Sequence, residues 1–175
     1  MLIFILVVIA LIIAVVLIVA LVSSKEYTIS TDIIIDRPAQ DVFNYIKLIR
    51  NQEKYSKWVM ADPNVKLEYT GTDGTVGFIS RWQSNDKNVG VGEQEITKID
   101  EGKGYEVEIR FKKPFEGISR ASTVLEPVSD TQTKLINTFY TTTPFPMNLM
   151  AYMIKNMLKK QMDETLGNLK RNLEK

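Results

Sequence analysis

The segment from residue 146 to 173 constrains the fold most, because it is the only long stretch after the N-terminus whose apolar residues recur at helical spacing. A single glycine, Gly167, interrupts it. In its first half the apolar residues share one face, which we expect to be buried: Met147, Met150, Ile154, Met157 and Leu158. In its second half the stripe rotates to Leu158, Met162, Leu166, Leu169 and Leu173. The pattern therefore predicts a long helix that packs on two different surfaces.

Polar residues continue the first-half face of this helix. They are Gln161, Glu164 and Thr165. Such a continuation is typical of the open end of a partly hydrophobic groove. Plain solvent exposure of these side chains explains the same pattern, so both interpretations stand.

Before this helix the chain alternates between apolar and polar residues from Val65 to about Thr143, with turn residues at the spacing of antiparallel hairpins. The clearest case is Tyr105–Lys112, in which every second residue is apolar. A β-branched stretch near the N-terminus adds a further strand. The predicted strands are residues 26–36, 65–71, 77–84, 91–100, 104–113, 115–127 and 132–143.

Two short helices are predicted between the first strand and the others. Pro38 is expected at the first helical position, with Asp41 in the first turn, where its charge favours the positive end of the helix dipole. A second short helix is expected over Leu48–Trp58, stopped by Pro63. Pro144 then ends the last strand and leads into the C-terminal helix.

Residues 1–22 contain no charge, glycine, proline or hydroxyl group, and as a helix they would span about 33 Å, slightly more than a bilayer core. This predicts a single transmembrane helix. The alternative is a cleaved signal peptide, but no basic residue precedes Lys25, so the usual basic n-region is missing. We therefore expect an anchor at residues 1–24 and one domain at residues 25–175.

The charges after residue 22 are balanced, with 22 basic and 21 acidic residues in the chain. No basic patch stands out, so nucleic acid is not an expected partner. Lys25 and Arg37 both follow the apolar segment, which favours a cytoplasmic domain, although two charges decide little and the opposite side stays open. A protein partner cannot be named from the sequence.

Four segments add a resemblance to this pattern. "IDRPAQDVFNYI" (35–46) resembles the opening of proteins of the SRPBCC superfamily, which includes START-like lipid carriers and polyketide cyclases. Three further segments have the order and spacing seen in the polyketide cyclase/dehydrase branch: "VGVGEQEITKID" (89–100), "PFEGISRASTVLEP" (114–127) and "TQTKLINTFYT" (131–141). The resemblance implies an α+β helix-grip fold, with a curved, seven-stranded antiparallel sheet around the C-terminal helix.

The resemblance also implies a hydrophobic cavity between sheet and helix. The apolar candidates for its wall are Phe43, Trp58, Phe78, Trp82, Val107, Ile109, Phe111, Phe139, Met150, Ile154 and Met157. For polar groups inside it we single out Arg81, Arg120 and Tyr140. Five of the seven methionines lie in the last helix, where they suit either an adaptable binding wall or an ordinary core.

The chain has no histidine and no cysteine, so the usual nucleophile triads and zinc sites are excluded, and no metal or cofactor is expected. Glu93 and Glu95 lie two apart on a predicted strand and so share a face. They form either a carboxylate pair or part of a solvated face, paired across strands with Arg110 or Lys112. Catalytic residues cannot be assigned from this pattern.

Three functions fit these observations. The first is a membrane-anchored, non-catalytic protein that holds an apolar small molecule or a lipid in the cavity. The second is a cyclase or dehydratase, which requires at least one acid–base group inside the cavity. The third is a protein-binding adaptor, which requires an exposed apolar patch of several hundred Å² away from the cavity. The fold alone does not choose among them.

Overall fold

The structure, a computed structural model, describes the backbone of residues 1–175 and the side chains of all but residues 2 and 150–153. Two short 3₁₀ helices span Ile49–Lys54 and Val59–Ala61. In chain order the main elements are α1 (Leu2–Val22), β1 (Glu26–Ile35), α2 (Ala39–Ile46), β2 (Lys66–Thr70), β3 (Ile79–Gln83), β4 (Val91–Asp100), β5 (Gly104–Lys113), β6 (Gly117–Ser129), β7 (Gln132–Thr142) and α3 (Asn148–Leu173).

The seven strands form one antiparallel sheet in the order β1-β7-β6-β5-β4-β3-β2. Strands β2 to β7 pair as successive hairpins, whereas β1 pairs with the last strand, from Glu26 opposite Thr142 to Ile35 opposite Thr133. This confirms the predicted fold class: a seven-stranded antiparallel sheet with a long C-terminal helix and an apolar N-terminal helix.

Helix α3 lies along the edge strand β1. The Lys170 ammonium group donates to the backbone oxygen of Ile34 at 2.7 Å, and the Asp163 carboxylate accepts from the Thr31 hydroxyl. Both bonds reach the C-terminal half of β1, so α3 covers part of the edge that this strand would otherwise present to solvent.

The core lies between the inner face of the sheet, α2 and the second half of α3. Leu166 and Leu169 of α3 and Phe43 of α2 are buried in it, together with inward-facing strand residues such as Ile96 and Leu135. In the first half of α3, by contrast, Met157 is 53% exposed and Ile154 is half-buried. Our expectation that the whole first-half face is buried was therefore wrong for Met157; the side chain of Met150 lies outside the described residues.

The segment after α2 also differs from the prediction. Instead of one helix over Leu48–Trp58, the chain forms two short 3₁₀ helices. The first is held by a distant side chain, because the Asp73 carboxylate accepts hydrogen bonds from the backbone N–H groups of Ile49 and Arg50 at 2.8 and 3.2 Å. Pro38 precedes the first residue of α2 by one position instead of occupying it.

Helix α1 is almost fully exposed and is the one helix among the described residues long and apolar enough to cross a membrane, with a mean hydropathy of 3.8 over Ile3–Val22. A signal sequence meets the same criteria of length and composition. Its C-terminal end meets α3, where the buried Asn148 side chain donates to the backbone oxygens of Ala20 and Ser23 at 2.7 and 3.2 Å.

The difference between the two halves of α3 gives a test. Leu169→Ala removes a side chain that is 1% exposed and should lower the free energy of unfolding by about 2–5 kcal/mol. Met157→Ala, at a half-exposed site on the same helix, should change it by less than about 0.5 kcal/mol. Urea unfolding of the full chain in mild detergent measures both. Equal losses for the two variants would contradict this packing.

Candidate ligand cavity

A cavity of about 460 Å³ lies between the inner face of the sheet and α3. Most of its wall is apolar or aromatic, with amide, hydroxyl and indole groups at a few positions. The residues around it are Ile46, Gln52, Tyr55, Ser56, Trp58, Val59, Val65, Trp82, Lys87, Asn88, Val89, Gln94, Tyr105, Val107, Ile109, Phe111, Ala121, Thr123, Leu135, Asn137, Phe139, Met157, Leu158, Gln161, Met162, Thr165, Leu166 and Leu169.

The inward-facing residues of β5 form the floor of this cavity. Tyr105, Val107, Ile109 and Phe111 all point inward, as period two requires of one face of a strand. Ala121 of β6 lies opposite Val107 in the ladder, and Phe139 of β7 lies opposite Ala121. The small Ala121 side chain therefore leaves space between two larger neighbours in the middle of the wall.

A β-bulge shapes one side of the cavity. The pairing of β4 with β5 shifts register between Val91 and Gly92, and a Cβ atom on Gly92 would lie 2.5 Å from the ring of Trp82. The indole packs edge-on against Phe111 at 6.0 Å between centroids and donates to the backbone oxygen of Val89 at 3.1 Å. Gly92 is therefore required for the position of Trp82.

Polar side chains gather at the deep end of the cavity. Asn137 donates to the Thr123 hydroxyl at 2.9 Å, and Gln94 donates to the Gln52 amide oxygen at 2.7 Å. The buried phenols of Tyr55 and Tyr105 lie among these groups. Paired amides and hydroxyls of this kind give the cavity an uncharged polar end, and the charged Lys87, which also borders the cavity, is exposed to solvent.

Burial controls the ionisation of both phenols. It raises the pKa of Tyr55 well above the ordinary value, and it raises the pKa of Tyr105 despite opposing hydrogen bonds from Thr123, Gln52 and Tyr55. Both side chains therefore remain protonated at neutral pH and serve as hydrogen-bond donors, not as bases.

Helix α3 contributes polar groups where its first-half face becomes polar. The Trp58 indole donates to the Gln161 side chain at 3.0 Å, and the Thr165 hydroxyl accepts from the backbone N–H of Lys57 at 3.1 Å. Both side chains line the cavity, whereas Glu164 forms an ion pair with Lys57 at 3.0 Å on the outer side. Gln161 and Thr165 therefore lie in the groove, as one interpretation of the sequence expected. Glu164 faces solvent, as the other interpretation expected.

Seven of the eleven apolar candidates line the cavity: Trp58, Trp82, Val107, Ile109, Phe111, Phe139 and Met157. Phe43 and Phe78 lie instead in the solid core, and Ile154 is half-buried outside the lining. The side chain of Met150 is not among the described residues. The hydrophobicity of Phe43 and Phe78 predicted burial correctly but could not distinguish core from cavity wall.

The three polar candidates lie outside the cavity. Arg81 alternates with the inward-facing Trp82, and its guanidinium group pairs with Glu93 at 3.1 Å on the outer face. Arg120 precedes the inward-facing Ala121, and Tyr140 follows the inward-facing Phe139. Both side chains are exposed. Because neighbouring residues of a strand face opposite ways, these three expectations were wrong.

Glu93 and Glu95 belong to a network of charges on the outer face of the sheet. Arg110 lies between them, with distances of 2.8 Å to Glu93 and 2.7 Å to Glu95, and Lys112 reaches Glu93 at 3.3 Å. The hydrogen bond from Arg110 lowers the pKa of Glu93. The two carboxylates are thus paired across strands, as the solvated-face interpretation predicts, and take no part in the cavity.

Sequence reasoning missed most of the polar groups that do line the cavity. Tyr105 and Asn137 each lie two residues from an apolar cavity residue, Val107 and Leu135, and therefore share its face. Strand parity was the available signal. The alternation that identifies the wet face of β5 also places these polar residues on the apolar faces of their strands.

A second depression, of about 730 Å³, lies on the outer side of α3 and is open to solvent. Charged side chains such as Lys57, Glu164 and Lys160 surround it, and it is separated from the sheet by the helix. No group of three or more acidic side chains in the described part of the chain is arranged to hold a metal ion. The enclosed, apolar space under α3 is therefore the candidate site.

The buried phenols predict a specific loss of stability in alkali. Above about pH 10 the unfolded chain releases the phenolic protons while the folded chain retains them, so each buried phenol lowers the free energy of unfolding by about 1.4 kcal/mol per pH unit. Tyr55→Phe should reduce this slope, as measured by urea unfolding at several pH values. An unchanged slope would show that Tyr55 ionises in the folded protein as it does in the unfolded chain.

The chain matches a family model described as polyketide cyclase / dehydrase and lipid transport over residues 26–174. No curated protein sequence matches the chain significantly. The match begins at the first residue of β1 and extends one residue beyond α3, so it includes every element of the sheet and the cavity.

Solved structures share the fold at low identity. Norcoclaurine synthase from Thalictrum flavum, in complex with dopamine and hydroxybenzaldehyde, has a TM-score of 0.64 at 16% identity, covering 90% of this chain and 92% of that one. The Aha1 dimer from Colwellia psychrerythraea gives 0.58 at 20%, covering 85% and 96%. A hypothetical protein from Helicobacter pylori gives 0.62 at 12%, covering 85% and 88%. With its START-like fold and the family match over residues 26–174, the chain belongs to the polyketide cyclase/dehydrase and lipid transport family of the SRPBCC superfamily.

Proposed function

We propose that this protein is a membrane-tethered binding protein that holds an apolar small molecule or a lipid chain in the cavity beneath α3. The observation that supports it most is the character of the cavity: about 460 Å³ of space, walled mostly by aromatic and aliphatic side chains, with paired amides, hydroxyls and phenols at its deep end. Binding sites for small organic ligands have volumes of roughly 300 to 1,000 Å³ and this mixture of wall chemistry.

The polar end suggests an amphiphilic ligand. A hydroxyl, carbonyl or carboxylic acid group could exchange hydrogen bonds with Tyr105, Asn137 and Thr123, while an apolar body contacts Val107 and Phe139. Protonated phenols and amides suit such a head group because they donate hydrogen bonds without requiring a charge on the ligand.

The family and its fold support the same proposal. The family description includes lipid transport, and the norcoclaurine synthase structure holds dopamine and hydroxybenzaldehyde, two small aromatic molecules. That ligand identity does not transfer at 16% identity, but the ability of the fold to enclose a small molecule is consistent with the cavity of this chain.

Helix α1 supports the tether. It has the length and composition of a membrane span, and only Ser23, Ser24 and Lys25 separate it from β1. So short a connection would hold the domain at the bilayer surface, where apolar ligands concentrate. The positions of Lys25 and Arg37 favour the cytoplasmic side.

The observations favour binding over the two alternatives. The acid–base groups considered for a cyclase or dehydratase, Arg81, Glu95, Arg120 and Tyr140, all lie on the outer face. The phenols that do enter the cavity, Tyr55 and Tyr105, remain protonated, so they could act as general acids but not as bases. For the adaptor, exposed apolar side chains such as Met60, Val76 and Val128 occur at separate positions on the domain. The exposed Phe115, Ile118 and Phe145 lie toward the end of the sheet from which α1 departs, which favours contact with a bilayer over contact with a protein.

A thermal-shift experiment tests the proposal. Delipidated full-length protein in detergent should be stabilised by palmitic acid or farnesol, by about 2.7 kcal/mol at a ligand concentration one hundred times Kd. Ala121→Phe places a ring in the middle of the cavity wall and should raise Kd at least ten-fold, which corresponds to about 1.4 kcal/mol.

The matched control is Ser122→Phe, which adds the same ring to the next residue of β6, on the outer face. It should bind as tightly as the unsubstituted protein. The proposed function would be contradicted if no apolar ligand stabilised the unsubstituted protein. It would also be contradicted if a ligand stabilised the unsubstituted protein, Ala121→Phe and Ser122→Phe equally. Mass spectrometry of the molecule that co-purifies with the protein would identify the natural ligand.

A further inference from the structure

The cavity is closed at one end of the sheet and opens toward the other. Along β5, Tyr105 and Val107 are buried, whereas Phe111 is partly exposed. Along α3, burial decreases in the same direction, from Leu169 at 1% exposure to Met157 at 53%. The opening therefore lies near the C-terminal end of β5 and the N-terminal half of α3.

The same end of the sheet receives the chain from α1. The first residue of β1, Glu26, pairs with Thr142 at the end of β7. Across the sheet the same rim continues through the start of β6 at Gly117 and the end of β5 at Lys113, which pairs with Val91. The cavity thus opens at the end of the sheet from which the apolar helix departs.

Two sets of hydrogen bonds fix α1 to this rim. The buried Asn148 side chain, in the first turn of α3, donates to the backbone oxygens of Ala20 and Ser23. The backbone N–H of Thr143 donates to the backbone oxygen of Lys25 at 2.8 Å. With α1 in a bilayer, these contacts would hold the rim against the membrane surface instead of letting the domain turn freely on a linker.

Large apolar side chains project from this rim. In the turn from β5 to β6 and just beyond it, Phe115 is 67% exposed and Ile118 is 60% exposed, and Phe145 before α3 is also exposed. Exposed Lys113 immediately precedes the turn, which also carries Glu116, and the exposed Lys112 before it reaches Glu93 at 3.3 Å. Aromatic and aliphatic side chains beside lysines are the composition that binds an interface containing anionic lipids.

We propose that the rim formed by Phe115, Ile118 and Phe145 docks on the bilayer, and that the cavity takes its ligand directly from the adjacent leaflet. This rests on the proposed function and narrows the ligand to molecules that reside in a bilayer, such as lipids with an apolar chain. A ligand entering this way leaves the hydrocarbon phase for the cavity without exposing its apolar surface to water.

The docking step can be tested by site-specific labelling, because the chain contains no cysteine. Phe115→Cys in the full chain is labelled with a nitrobenzoxadiazole probe and reconstituted into phosphatidylcholine–phosphatidylglycerol vesicles. Doxyl-labelled phosphatidylcholine should quench this probe strongly. Val128→Cys provides the matched control, since Val128 is 53% exposed at the opposite end of β6 and its probe should remain unquenched. Equal quenching at the two positions would overturn the docking geometry.

The loading step is tested by the rate of uptake. Energy transfer from Trp58 and Trp82 in the cavity wall to cis-parinaric acid in the same vesicles reports its arrival. A Phe115→Asp, Ile118→Asp variant should take up the fatty acid about ten-fold more slowly, while Val128→Asp leaves the rate unchanged. Equilibrium binding of cis-parinaric acid in detergent micelles, where no bilayer is present, should be the same in all three proteins.

The outcomes separate the two proposals. Normal binding in micelles, combined with an unchanged uptake rate in the Phe115→Asp, Ile118→Asp variant, would overturn the direct loading route and leave the proposed function intact. Failure of the unsubstituted protein to bind cis-parinaric acid or any other apolar ligand in micelles would overturn the proposed function. In that case the probe at residue 115 would still decide whether the rim contacts the bilayer.

Discussion

The packing of α3 against the sheet through only part of its length determines the rest of the structure. Met162, Leu166 and Leu169 bury the second half of the helix in the core, together with Leu135 of β7. In the first half the described side chains do not continue this stripe, as half-exposed Met157 shows. The α3 residues that border the cavity run from Met157 to Leu169, so the cavity lies beneath the middle of the helix, where its exposed stretch meets its buried one. Gln161 and Thr165 interrupt the apolar stripe there, and the helix does not fill the space above the sheet.

Local pattern predicted the strands and the long helix, and the resemblance to the SRPBCC superfamily predicted how they assemble. The observed limits of β4 and β5 are those expected from alternation and turn residues, and α3 begins two residues after the expected position. The prediction was wrong where a distant contact decides the local structure, as at residues 49–54, which Asp73 holds in a 3₁₀ helix. A single stretch of sequence contains no information about such a partner.

The candidate site was less predictable than the fold, for a related reason. Hydrophobicity identifies Phe43, Phe78 and Phe111 equally well as interior residues, but only their three-dimensional arrangement shows that the first two fill the core and the third borders a space. For Arg81 and Arg120 the sequence did indicate the outer face, because each is adjacent in the chain to an apolar residue of the inner face. Polar residues that share parity with that face, such as Asn137, were the better candidates.

The contact of α3 with β1 affects how copies of the domain would behave when many of them share one membrane surface. A bilayer would concentrate copies of the domain with their sheets in similar orientations, which favours pairing between free strand edges. At one edge the Lys170 ammonium group already occupies a backbone oxygen of β1, that of Ile34. At the other, β2 spans only Lys66–Thr70 and includes a charged residue, Glu68, in its middle. Both edges are therefore poor templates for polymerisation, so a domain tethered to a bilayer would reach high surface density without forming intermolecular sheets.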